Sequence, residues 1–144
     1  MPERVEARPG DPPHPLLRAM LICDYTIRDA ESGKVSVIGI FAQVSAGEFP
    51  VVHPALCVYV NVDEAQGKYR MRLDLVRLDD DTRLGSGEVE TEIGDMMRPA
   101  EVVFELRNIV FDRPGTYQFR VTANDRHVGE KTFRVVERKP GGRE

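Results

Sequence analysis

Apolar and polar residues alternate with period 2 along most of the chain, and no window of helical length carries a sustained i, i+3, i+4 stripe. Leu56, Val58, Val60 and Val62 alternate with Cys57, Tyr59 and Asn61. Tyr69, Met71, Leu73 and Leu75 alternate with Arg70, Arg72 and Asp74, and Val102, Phe104 and Leu106 with Val103 and Glu105. Tyr117, Phe119, Val121 and Ala123 form a further inward set. Strands of this kind bury one face and wet the other, the habit of antiparallel sheets. Breakers recur between them at 31–34, Phe49-Pro50, His53-Pro54, Asp79-Asp80-Asp81, Arg113-Pro114-Gly115 and Asn124-Asp125. About eight short strands at this spacing predict an all-β fold, a two-sheet antiparallel immunoglobulin-like sandwich.

Matching faces also predicts register in the hairpin over 69–93. A three-residue loop at 79–81 pairs Leu78 with Thr82 and sets Met71 opposite Val89, Arg72 opposite Glu88 and Arg70 opposite Glu90. An even loop would oppose Met71 to Glu90 and mix faces, so an odd loop, or a bulge near Gly85 or Gly87, is expected. The Arg–Glu pairs then account for the charges on that face, each contributing under about 1 kcal/mol.

The opening hairpin, 19–41, carries an odd carboxylate. Leu21, Cys23, Tyr25 and Ile27 share one face, which leaves Asp24 on the other with Met20 and Ile22. Asp24 is expected to be buried and bonded to backbone amides of a neighbouring loop as a structural staple. Unpaired in a pocket, it would instead have a raised pKa and face a ligand, with Tyr25 beside it. Ile38, Ile40 and Val103 form an extra apolar set facing away from one sheet's core.

Composition narrows the function. A chain of 144 residues, 41% of them hydrophobic, can remove roughly two thirds of its unfolded surface from water as one domain. Prolines 2, 9, 12, 13 and 15 mark 1–15 as a flexible arm, 16–137 as the sandwich domain, and 138–144 as a flexible charged tail. A net charge of −4 offers no basic field for a phosphate backbone, so nucleic acid is not an expected partner. With neither an apolar run of about 18 residues nor a signal-like start, a soluble cytoplasmic protein away from the membrane is expected. Two cysteines, Cys23 and Cys57, are too few for a disulfide framework and lack metal-ligand spacing.

Candidate chemistry is sparse. No G-x-S-x-G, H-E-x-x-H, phosphate loop or dinucleotide fingerprint occurs, and His14, His53 and His127 read as loop residues. Asp79-Asp80-Asp81 could join Asp63-Glu64 or Asp125 around a hard cation, but Asp favours turns and a solvated turn is the preferred reading. Arg70, Arg72, Arg107, Arg120 and Arg134 fall on outward positions interleaved with acids, which predicts a mixed-charge face. There is no Trp, and Tyr59 alone among the aromatics departs from the apolar registers. That disfavours sugar platforms and leaves Tyr59 as a contact candidate. Met96 and Met97, in the loop between Gly94 and Pro99, either plug the core's end or form an adaptable contact surface.

Cys23-Asp24-Tyr25, Gly33-Lys34, Gly39-Ile40-Phe41, Phe49-Pro50 and Pro114-Gly115-Thr116-Tyr117 follow one another in an order that resembles a bacterial family of uncharacterised sandwich domains, over most of 17–137. The Pro-Gly-Thr-Tyr strand is also similar to immunoglobulin-like and fibronectin-like sandwiches. The resemblance implies a fold and a bacterial cytoplasmic setting, with no activity to carry over. The function expected is therefore non-enzymatic: protein–protein contact or a structural role, with an unknown protein partner or self-association through a sheet edge or apolar face, and no cofactor. A small-molecule or metal-binding domain is the second reading and a hydrolase the third.

Overall fold

In the computed structural model, residues 10–139 are described. Among them nine strands follow in order: β1 Leu16–Arg28, β2 Val35–Ile40, β3 Gln43–Ala46, β4 Val51–Asp63, β5 Gly67–Arg77, β6 Thr82–Ile93, β7 Ala100–Phe111, β8 Gly115–Ala123 and β9 Arg126–Glu137. They form a four-stranded sheet, β2-β1-β4-β7, facing a five-stranded sheet, β3-β9-β8-β5-β6. The alternating sets named above meet between the sheets: Met20, Ile22, Leu56, Val58, Val60 and Val62 from one side, Met71, Leu73, Tyr117, Phe119 and Phe133 from the other. In β7 the left-handed Asn108, φ 53°, resets the alternation, so that Ile109 and Phe111 follow Val102 and Phe104 into the core.

An aromatic cluster anchors the interior. Phe133 lies 5.2 Å from Phe119 and 5.8 Å from Tyr117, both stacked, and meets Phe111 edge-on at 5.9 Å. The Tyr117 hydroxyl donates to the Arg113 carbonyl at 2.6 Å, tying the Pro-Gly-Thr-Tyr strand to the connection that precedes it. This is the tyrosine corner of immunoglobulin-like sandwiches.

The β5–β6 register matches the expectation for Met71↔Val89, Arg72↔Glu88 and Arg70↔Glu90. It is reached by a bulge between Leu75↔Gly85 and Val76↔Arg83, whereas the tip closes with Arg77↔Thr82 in place of Leu78↔Thr82. Leu78 instead donates its N–H to the Thr116 carbonyl at 2.9 Å. β3 departs from a purely antiparallel sandwich, pairing parallel to β9.

Of the expected arm, 1–9 lies outside the described residues, as does 140–144 of the expected tail. Residues 10–15 run along the end of the sandwich, where Tyr69 donates to the Pro13 carbonyl at 2.5 Å and His14 Nε2 to the His127 carbonyl at 2.7 Å. No helix among the described residues is long and apolar enough to cross a membrane.

Candidate interaction surface

The outer face of the four-stranded sheet is built by three registers. Cys23 pairs with Ile40 of β2 and with Cys57 of β4, and Cys57 pairs with Glu105 of β7. One step along, Tyr25 pairs with Ile38, and Ala55 with Arg107. One step the other way, Leu21 pairs with Tyr59 and Tyr59 with Val103. Because Met20 and Ile22 point into the core, side-chain alternation sends Leu21, Cys23, Tyr25 and Ile27 outward. The hairpin that presents them is closed by Asp29, whose N–H donates to the Lys34 carbonyl and whose carboxylate accepts from the Ser32 N–H at 2.7 Å. The Ser32 hydrogen bonds hold that carboxyl below its usual pKa.

Water reaches this apolar face. Tyr25 and Ile27 are each 52% exposed and Ile40 61%, while Ile38 and Val103 are half-buried. Cys23 and Cys57 are buried beneath them although neither belongs to the core between the sheets. Burial raises both thiol pKa values, helped at Cys23 by the neighbouring Cys57 and at Cys57 by Glu105, so both are uncharged near neutrality. Both are free thiols, with Cys23 Sγ 3.7 Å from the Cys57 carbonyl oxygen.

The polar end of the face corrects one expectation. Tyr59, anticipated as an exposed contact, is 7% exposed because Leu21 and Val103 flank it and its hydroxyl is engaged. That hydroxyl donates to the Glu101 carboxylate and accepts from Asn61 Nδ2 at 3.0 Å. Burial and the bond to Glu101 raise its pKa. The exposed aromatic of this face is Tyr25.

The sequence model of DUF6941, a family of unknown function, matches residues 18–136. The chain belongs to the DUF6941 family. No curated protein matches it. Among solved structures it is similar to a Pseudomonas fluorescens alkylpurine DNA glycosylase bound to DNA containing an abasic-site analogue, with TM-score 0.52 and 9% identity. That match covers 85% of this chain but 30% of the glycosylase, so it speaks for the fold alone. An immunoglobulin-like protein from Pseudomonas aeruginosa aligns at TM-score 0.46 and 14% identity, covering 86% of this chain and 98% of its own.

In this DUF6941 chain Asp24 is exposed and has no hydrogen bond or ion pair among the described residues, so it is neither a buried staple nor a pocket group. The physical reason is where the sandwich ends. β1 pairs with β4 only as far as Cys23, and beyond it β1 and β2 continue as a two-stranded ribbon with no second sheet beneath Asp24. Asp24 comes opposite Gly39, φ 72°, where an added Cβ would collide with its carboxylate. The Cys-Asp-Tyr and Gly-Ile-Phe segments are thus two halves of one close strand approach. Met97 is 88% exposed and Met96 39%, so neither plugs the core; Met97 N–H donates to Asp95 Oδ1 at 2.9 Å in the loop before β7.

The acidic turn of this family member is exposed, as expected of a solvated turn, and its Asp80 and Asp81 carboxylates are also paired with arginines. Arg77, 8% exposed, grips Asp80 with Nε at 3.1 Å and Nη2 at 2.9 Å, and reaches Asp112 with Nη1 at 2.7 Å. Arg113 adds a 3.0 Å contact to Asp80, and Arg120 lies 3.3 Å from Asp81. Asp63 and Asp125, considered as cation partners of this turn, sit at the opposite end of the sandwich on Arg18 and Arg70, at 3.2 and 2.6 Å. Among the described residues no three His, Cys, Asp or Glu cluster as a metal site. Arg107 lies on the four-stranded sheet, whereas Arg70, Arg72, Arg120 and Arg134 belong to the five-stranded one. His53 lies within β4, its ring 5.9 Å from Phe41, and is not a loop residue.

The Arg77 guanidinium holds the Asp80 carboxyl far below the usual carboxylate range. A folded-state pKa lowered in this way contributes stability that is present above the unfolded value of about 4 and is lost as pH falls below it. Asp80→Asn is therefore expected to melt below the wild type at pH 7, with the gap shrinking steadily from about pH 4 towards pH 2. Thermal unfolding followed by circular dichroism across that range checks it, and a gap that stays constant would contradict the pairing.

Proposed function

We propose that this DUF6941 chain is a non-enzymatic interaction module that docks a second copy of itself through the outer face of the four-stranded sheet. The observation that carries the reading is exposed aliphatic and aromatic surface concentrated on one sheet face, at Tyr25, Ile27 and Ile40, over two buried thiols. Contiguous patches of that kind on soluble domains mark contact sites.

A second copy suits it because the face is self-complementary. Glu105 and Arg107 stand two residues apart on the same edge strand, both exposed. A two-fold axis crossing the strands between the Cys23 and Tyr25 rows sets Ile38 against Ile40 of the second copy, and Glu105 against its Arg107. An isologous interface uses every such contact twice.

Charge exchange tests the arrangement. Glu105→Arg makes the pair wholly positive and Arg107→Glu wholly negative, so each variant alone is expected to be monomeric, because like charges juxtaposed in an interface cost several kcal/mol. Mixed together, the two variants are expected to recover a dimer mass in light scattering. A mixture that stays as monomeric as its components, or variants that each dimerise alone, would overturn the proposal.

A further inference from the structure

The open side of the sandwich, between β6 and β7, carries a second feature. These strands are the edges of their respective sheets. Between them runs a groove of about 490 Å³ floored by Leu73, Leu75, Phe104, Leu106 and Ile109. Its emptiness has a sequence cause. The β6 positions opposite Leu73 and Leu75 are Gly87 and Gly85, and an added Cβ at either would meet nothing within 4 Å. Glycine weakens a strand interior, and it marks places where another backbone approaches closely. Both flanking apolar residues, Leu84 and Val89, are 36% exposed.

The other face of β6 is acidic. Glu88, Glu90 and Glu92 are exposed at alternate positions. They stand opposite Arg72, Arg70 and Lys68, yet Arg72 is paired with Asp74 at 2.9 Å and Arg70 with Asp125 at 2.6 Å. The three glutamates form no ion pair among the described residues. Among the described residues no strand pairs with the free edge of β6, whose backbone N–H and C=O groups carry no proline or lysine to blunt them.

We infer that β6 receives an extended segment of another protein, in which lysine or arginine alternates with large apolar residues, as an added sixth strand of the five-stranded sheet. Side chains on adjacent strands meet in register with period 2, so the apolar residues of such a segment enter the space left by Gly85 and Gly87 while the basic ones face Glu88, Glu90 and Glu92. A second copy does not fit this edge. Two β6 strands side by side place glutamates of both chains on one face, and the outward positions 86, 88, 90 and 92 carry no basic residue. The groove shares Glu105 and Arg107 of β7 with the self-association face, whereas Tyr25, Ile27, Ile38 and Ile40 do not line it.

The test uses the full chain and three acetylated, amidated peptides of about eight residues, a length that matches the strand segment facing the groove: alternating Lys-Ile, alternating Glu-Ile, and a scrambled Lys/Ile peptide. Titration by calorimetry at low salt is expected to show binding of the alternating Lys-Ile peptide only, weakening as salt is raised. Gly87→Leu fills the groove from a position with room for a side chain, so it is expected to fold with an unchanged circular dichroism spectrum and bind at least tenfold more weakly. The double variant Glu88→Lys, Glu90→Lys is expected to lose the Lys-Ile peptide and gain the Glu-Ile one. Ile40→Asp is expected to bind like the wild type, which separates this site from the self-association face. Equal binding by Gly87→Leu, equal binding of the scrambled peptide, or no binding by the wild type would overturn the inference. So would loss of a wild-type dimer on Gly87→Leu, which would give the groove to a second copy.

Discussion

Phe133→Ala is expected to lower stability by about 3–5 kcal/mol, more than any other single truncation in the sandwich. Phe133 is 1% exposed and touches the rings of Phe111, Tyr117 and Phe119 at 5.2–5.9 Å, so its removal opens a cavity where three neighbours converge. Those neighbours cannot collapse freely. Phe119 and Tyr117 share one strand, Tyr117 is pinned by its bond to the Arg113 carbonyl, and Phe111 comes from the opposite sheet. In a chain of this size the loss corresponds to a fall in midpoint of about 10 °C or more, read by thermal unfolding. A shift of under about 3 °C would mean that the aromatic cluster is not the anchor of the core.

Ile40→Asp is expected to abolish self-association while leaving the fold intact. At 61% exposure the side chain contributes little to the monomer, and surface substitutions of this kind shift stability by about 0.5 kcal/mol or less. Within a two-fold interface the same change buries two carboxylates against apolar side chains. A buried unpaired charge costs about 3–5 kcal/mol, so a weakening of at least about 100-fold is expected. Sedimentation at matched concentrations reads the effect, and the unfolding midpoint should no longer depend on concentration. An Ile40→Asp chain that still dimerises would move the contact elsewhere.

Much of the fold was legible because period-2 alternation reports which face each residue occupies. The inward sets of β4, β5, β7 and β8 and the central register of β5–β6 follow from it directly. What alternation does not report is how far a face extends. Asp24 has the inward parity of Met20 and Ile22, but the second sheet stops short of it. Tyr59 and the two cysteines have outward parity, yet their neighbours cover them. The acidic turn is exposed as its composition suggested, but its pairing to Arg113 and Arg120 was not legible, because those residues are more than thirty positions away in sequence. β3, four residues long and paired in parallel to β9, is too short to show a period. Gly85 and Gly87 signalled a bulge, which lies beside Gly85. Their second consequence, the groove, needs β7 across from them and is visible only in three dimensions.

Sedimentation equilibrium of the full wild-type chain from about 1 to 100 µM tests the self-association face most directly. A concentration-dependent rise towards twice the chain mass of 16.2 kDa is the expected result. A single species of 16.2 kDa throughout would contradict it.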